Sequence, residues 1–255
     1  MRCRWLVRVG VAAMAVACCL GVASVAEAEC DPRVPHRPVE DMFLSDVVFP
    51  QERGETQIEV KPARIHDGEG RTSTAGVSIE HGLSDAWQVE SEWEGPGDVS
   101  VGSKFSLKCI KGSRYHLLFG ADVEFPTRTV AGQEDTATRL VPTVIFARDV
   151  ATTAHVFSSL VAAAPLTHRD EQSWDFVSDT GMFVRIVRGF RATAEVSVSG
   201  GPDLRREVEF VPGCLWHWRD RVEVGAGALL GISRDAPRGV VKHVVYEFGG
   251  DHDNP

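Results

Sequence analysis

Beyond its first 28 residues this chain of 255 has no long apolar run. No later segment approaches the roughly 18 apolar residues of a spanning helix. If the rest of the chain lives in a membrane, it must do so as a closed barrel. Cysteine is scarce too. Only Cys30, Cys109 and Cys214 lie past the leader, with neither metal-ligand spacing nor an even disulfide framework. Cys109 and Cys214 could pair, or simply be small apolar strand residues, which is the plainer reading. Positive charge is in deficit, with 27 Lys and Arg against 36 Asp and Glu and a net charge of −9. That sign argues against a nucleic-acid partner. There is no Gly-x-Ser-x-Gly elbow, and no His, Cys and Asp spacing that reads as a metal site. His155 beside Ser158 and Ser159 is the nearest approach to a nucleophile and base. Spacing along one strand does not bring such residues into hydrogen-bonding contact. The expectation is no enzyme, no cofactor and no metal.

What is present begins with Arg2, Arg4 and Arg8, an apolar run, and "AEA" at Ala26–Ala28. This reads as a signal peptide over 1–28, with a mature start at Glu29. An uncleaved anchor helix is the rival reading, and neither Cys18 nor Cys30 follows a lipoprotein-type sequence. Losing Arg2, Arg4, Arg8 and Glu27 takes the net charge from −9 to −11. Residues 29–54 are rich in Pro and have no clean period. They read as an N-terminal periplasmic segment outside the main domain, with a plug as the alternative.

From residue 55 to 248 the pattern changes to about twelve strand-like runs, most of nine to thirteen residues. A tilted membrane-crossing strand needs about 9–11 residues, and soluble strands average nearer 5–6. Connections such as "LSDA", "DVATT", "GF" and "RD" are tight. They alternate with longer ones such as "IHDGEGRTS", "PTRTVAGQEDTA" and "PLTHRDEQSWDFVSD". Outer-membrane barrels have short periplasmic turns and long extracellular loops. An even number of strands leaves both ends in the periplasm. The predicted fold is all-β: an antiparallel up-and-down transmembrane β-barrel of about twelve strands over 55–248, with a C-terminal tail over 249–255.

Successive side chains of a strand point to opposite faces. In "WQVESEWEG" Trp87, Val89 and Trp93 oppose Gln88, Glu90, Glu92 and Glu94. "YHLLFGADVEF", "RATAEVSVS" and "RVEVGAGALLGI" split likewise, whereas the sixth and seventh runs are less tidy. The polar parity predicts a lumen lined by Glu80, Glu90, Glu92, Lys104, Lys108, Asp122, Glu124, Arg191, Glu195, Glu209 and Glu223. Glu94, Glu207 and Arg221 share that parity. On the outward parity, Trp87, Tyr115, Trp216, Trp218, Tyr246 and Phe248 fall near the ends with short turns, and Trp93 and Phe125 near the other. These are the expected membrane-interface girdles. Lys242 interrupts the outward apolar pattern where a long side chain can reach the headgroups.

"IEHGLSDAWQVESEWEGPGDVSVGSKFSLK" followed by "FGADVEFPT" resembles outer-membrane barrels of the meta-pathway phenol degradation protein family. The matching features are the turn Gly82, Leu83, Ser84 and Asp85, then Gly97, Asp98 and Lys104, then Pro126 and Thr127. Arg128 stands where that family has Gly. The last strand, "GVVKHVVYEF", is also similar, although seven residues follow its terminal aromatic. The resemblance is strongest over 79–127. It implies a Gram-negative outer-membrane barrel with a transport role and no particular substrate.

Together these observations predict a porin-like channel or transporter for small solutes, with an acidic lumen. Its partners would be membrane lipid, the outer-membrane assembly machinery and a small-molecule solute, with no nucleic acid. The reading from another class is a soluble periplasmic or secreted β-protein that binds a ligand or partner. The polar lumen itself has two readings: a solute path, or salt-bridged filling in which Glu90 to Glu94 face Lys104 and Lys108.

Overall fold

A computed structural model describes residues 42–67, 70–95, 98–108, 110, 114–126, 137–167, 174–202, 206–218, 221–234 and 236–249. The leader, residues 29–41, Cys109 and the tail beyond Gly249 lie outside the described residues.

Twelve strands follow one another: β1 (Glu55–Asp67), β2 (Gly70–Ser84), β3 (Trp87–Glu94), β4 (Asp98–Leu107), β5 (Tyr115–Pro126) and β6 (Arg139–Ala151), then β7 (Ala154–Pro165), β8 (Asp175–Val187), β9 (Phe190–Gly200), β10 (Glu207–Trp218), β11 (Val222–Gly231) and β12 (Arg238–Gly249). Each pairs antiparallel with its sequence neighbours, and β1 pairs with β12 to close the barrel. Glu55 stands opposite Gly249, so the barrel begins and ends at the same rim. No helix among the described residues is long and apolar enough to cross a membrane. Closure leaves no unpaired strand edge.

The pleat sorts the side chains as the alternation predicts. On β11, Glu223, Gly225, Gly227 and Leu229 face inward and are buried; Val224, Ala226, Ala228 and Leu230 face outward. The outer wall is apolar. Trp87, Trp93, Phe125, Trp216, Trp218 and Tyr246 are each 43–53% exposed, and Tyr115 and Phe248 also face out. Trp87, Tyr115, Trp216, Trp218, Tyr246 and Phe248 sit at the rim that carries the barrel's ends, with Trp93 and Phe125 toward the other. Neighbouring rings stack along this belt, as with Trp216 on Trp218 and Tyr246 on Phe248. An exposed apolar wall with aromatic rims matches the hydrocarbon slab of a bilayer. It would be an aggregation surface in water, which removes the soluble reading.

Three expectations need correction. The stretch "IHDGEGRTS" is not a long loop: β1 runs on to Asp67 and β2 resumes at Gly70, so this connection is as short as those at the opposite rim. The strict alternation of loop lengths therefore fails at the first hairpin. Arg221 sits exposed in a turn before β11 and does not line the lumen. And residues 42–51 are not outside the barrel. Met42, Phe43, Val47, Val48 and Phe49 are buried inside it, in one apolar cluster with Leu118, Ile145, Phe157, Phe183, Val211 and Leu215.

That cluster explains the untidy sixth and seventh runs. Val141, Ile145, Ala147 and Phe157 face inward, onto an apolar segment rather than onto water, while Val144, Phe146 and Leu160 face the outside. With both faces apolar, no period of two survives in the sequence.

Candidate functional site

The site is the lumen and the segment that crosses it. Residues 51–54 hold this segment to the rim. The Gly54 N–H donates to the Gly82 carbonyl at 2.8 Å and the Glu52 N–H to the Glu55 carboxylate at 2.9 Å. Gln51 donates its backbone N–H to Gln88 Oε1 at 2.8 Å and its amide to Glu80 at 3.0 Å. A side chain at Gly82 could not coexist with this entry, because its Cβ would lie 1.9 Å from the Glu52 carbonyl oxygen. Above the rim, Ser106 Oγ donates to the Val48 carbonyl at 2.7 Å. The segment then spreads its apolar side chains against the inner wall. Burying each is worth about 1.5–3 kcal/mol.

Its inner end is held by Glu195 on β9. This buried carboxylate accepts the N–H of Phe43 at 2.9 Å, the N–H of Leu44 at 3.0 Å and the hydroxyl of Ser45 at 3.2 Å. The Phe43 ring lies over glycine. A Cβ on Gly213 would stand 2.3 Å from Phe43 Cε2, and one on Gly227 would stand 3.2 Å from the same ring. Phe43 also stacks on His243, with centroids 5.2 Å apart.

Asp46 ties the segment to the charged wall. It lies 2.8 Å from Lys104 Nζ, which also meets Glu90 and sits 3.8 Å from Glu80. Desolvation in the lumen pushes the Asp46 carboxyl up, but Lys104 and then Lys61 outweigh it and hold it below the ordinary aspartate value. Lys104 is only 5% exposed, so these partners are what make its charge tolerable inside the barrel.

Beyond Asp46, toward the loop-bearing rim, the lumen opens. A cavity of about 160 Å³ is lined by Asp46, Glu59, Lys61, Glu80, Glu90, Glu92, Lys104, Asp122 and Glu124. A neighbouring one of about 200 Å³ reaches Phe43, Leu44, Glu92, Glu94 and Asp179. Residues 43–46 thus floor an acidic vestibule.

The inward residues named from sequence separate into groups. Glu80, Glu90, Glu92, Lys104, Asp122 and Glu124 gather at the vestibule. Glu195 holds the crossing segment. Arg191 pairs with Glu223 at 3.4 Å on the far wall. Glu209 shares the inward parity of Val211 and Leu215, and Lys108 sits just past the end of β4. The expected cross-hairpin pairing holds for Lys104 with Glu90, whereas Glu94 is exposed at its strand end. Sequence reasoning missed the inward carboxylates Glu55, Glu59, Asp149, Asp179 and Glu247. It also missed the buried pair His116 and His155, both held by Asp149. The serines near His155 bond elsewhere: Ser158 meets Thr180 and Ser159 donates to Asp179. The available signal was the inward apolar set, Leu118 and Phe157 among it, which requires apolar matter inside a barrel.

No family model and no curated protein matches the chain. Solved structures do. An outer-membrane channel from Pseudomonas putida F1 is 9% identical with a TM-score of 0.61, over 79% of this chain and 98% of that one. The KdgM porin is 10% identical at 0.57, over 75% and 99%. The CymD monoaromatic hydrocarbon channel is 7% identical at 0.50, over 80% and 90%. At such identities the likeness is one of fold. Taken with the apolar, aromatic-rimmed wall, the fold is that of a twelve-stranded outer-membrane β-barrel.

Proposed function

We propose that this barrel is an outer-membrane channel for small solutes, with an acidic vestibule that prefers cations and a constriction formed by residues 42–51. The observation that carries the reading is the vestibule. It is open space in the lumen, walled by Glu59, Glu80, Glu90, Glu92, Asp122 and Glu124 against Lys61 and Lys104. A cleft lined by one sign of charge with low-dielectric walls concentrates counter-ions. The fold shared with porins and channels supports the same reading. So does the resemblance of residues 79–127 to the meta-pathway phenol degradation group, with its implied transport role.

A second reading is a barrel that does not conduct, because residues 42–51 fill its waist. Their contacts with Glu195, Lys104 and Ser106 favour it. Planar-bilayer recordings of detergent-purified protein separate the two. Under a salt gradient, a channel gives a reversal potential of the cation-selective sign. Silence from the native chain, with conductance after removal of residues 42–51, would instead make the segment a seal.

A further inference from the structure

Three ligand-type side chains converge at the rim where the crossing segment enters. His116 is the second residue of β5, Asp149 lies near the end of β6, and His155 is the second residue of β7. His116 Nε2 is 2.8 Å from Asp149 Oδ2, and His155 Nδ1 is 2.7 Å from Asp149 Oδ1. Their potential donor atoms all lie within 4.8 Å of one another, and each residue is at most 3% exposed. Phe49 of the crossing segment packs against both imidazoles, at 5.3 Å from His116 and 5.1 Å from His155. Phe183 stacks behind His155 at 4.9 Å.

As a purely hydrogen-bonded triad this arrangement is costly. One ionised carboxylate is buried among aromatic rings with both imidazoles donating to it. That leaves His155 Nε2 as a buried acceptor with no hydrogen-bond partner. The same three residues also bring together the donor atoms that a cation needs. Two imidazole nitrogens and a carboxylate oxygen are a standard donor set for a zinc-type ion with one position left for water. An ion with bonds of about 2.0 Å sets its ligand atoms roughly 3.3 Å apart, so each His–Asp pair needs to part by only about 0.5 Å, and the two imidazole nitrogens already lie within 4.8 Å of each other. Each ring then carries its proton on the other nitrogen, and no net proton is released. We propose that His116, Asp149 and His155 form a binding site for a divalent transition-metal ion of the zinc class, at the root of the segment that fills the lumen. Such a site would clamp three strands beneath Phe49. The site stands whether or not the barrel conducts.

The test uses the folded full-length barrel in detergent, with Co²⁺ as an optical probe and Zn²⁺ as competitor. The expected result is one equivalent of Co²⁺ with the strong visible absorption of a low-coordinate site, abolished by Zn²⁺. Asp149→Asn and the His116→Gln, His155→Gln double variant should lose that absorption while still migrating as folded barrels. Phe49→Ala should keep the stoichiometry and speed uptake. X-ray absorption of the native chain with Zn²⁺ needs no variant and should count two imidazole ligands. The proposal is overturned if native protein binds Co²⁺ only with the weak spectrum of oxygen ligands from the vestibule carboxylates. It is equally overturned if the double variant binds as tightly as the native chain, or if the zinc shell holds no imidazole.

Discussion

Glu195 and Phe43, 152 positions apart in the chain, meet in the middle of the barrel, where the Glu195 carboxylate accepts the Phe43 backbone N–H at 2.9 Å. The same carboxylate takes the next N–H and the Ser45 hydroxyl. A buried charge with three donors from one short segment acts as its anchor, because neither side can be satisfied without the other.

Removing that anchor should release the segment. Hydrogen bonds to a charged group contribute about 1.5–3 kcal/mol each, so Glu195→Ala should shift the ratio of seated to released segment by roughly a hundredfold or more. Glu195→Gln keeps one acceptor and should fall between. The readouts are single-channel conductance, which should rise, and thiol labelling of Ser45→Cys in a cysteine-free background, which should accelerate. Unchanged labelling in Glu195→Ala would show that apolar packing alone seats the segment.

Phe43 provides a steric counterpart. Because a Cβ at Gly213 would stand 2.3 Å from its ring, Gly213→Ala should unseat Phe43 and mimic the anchor mutant in both readouts. Phe43→Ala in the same chain should restore slow labelling, since the methyl group then fits the vacated space. Failure of that rescue would place the clash on Thr193 Oγ1 or the Ala226 carbonyl, which are also close, at 2.9 and 3.0 Å.

Much of the barrel was legible in the sequence because lipid and water read alternate residues. Trp87, Val89 and Trp93 against Gln88, Glu90 and Glu92 is a period of two that no helix produces. The lumen was less legible. Glu195 looked like one acidic residue among many on the inward parity, and nothing local says that its partners lie 150 positions upstream. Gly213 and Gly227 looked like gaps in a polar face when they are the space for Phe43. The cluster of His116, Asp149 and His155 is drawn from three strands, so spacing could not disclose it. Val141, Ile145 and Phe157 broke the alternation for the same reason: residues 42–51 replace water as the inner solvent of those strands.

Lys104 should be a stability determinant rather than a filter. It is the cation shared by Asp46, Glu80 and Glu90. Removing one partner of a buried ion pair costs about 3–5 kcal/mol, because it leaves uncompensated charge. Lys104→Met should therefore lower the urea midpoint of barrel unfolding, and adding Glu90→Gln should recover part of the loss. Additive loss in the double variant would mean that the two residues are not coupled.

The strand arrangement implies a membrane orientation. The rim bearing Glu55 and Gly249 carries most of the tight turns, which is the periplasmic signature. A tag inserted near Gln172, in the loop between β7 and β8, should be cleaved by external protease on intact cells. One near Lys111, between β4 and β5, should be protected. Both insertion points lie outside the described residues, between strands whose ends are described. Reversed accessibility would invert the barrel, and the vestibule would then face the periplasm.

Selectivity tests the vestibule itself. Glu92 lines both loop-side cavities and Glu124 one of them. Among the described residues, neither forms an ion pair like that of Glu90 with Lys104. Their field should therefore reach mobile ions, and Glu92→Gln with Glu124→Gln should lower the cation-to-anion permeability ratio measured from reversal potentials. Raising the salt to 1 M shortens screening to about 3 Å and should flatten the preference in the native chain. In the Glu195→Ala background the conductance should be larger and the sign of selectivity the same, because the vestibule lies on the loop side of the anchor. Anion selectivity in that background, or selectivity indifferent to both Gln replacements, would show that ions do not pass the carboxylates of β3 and β5.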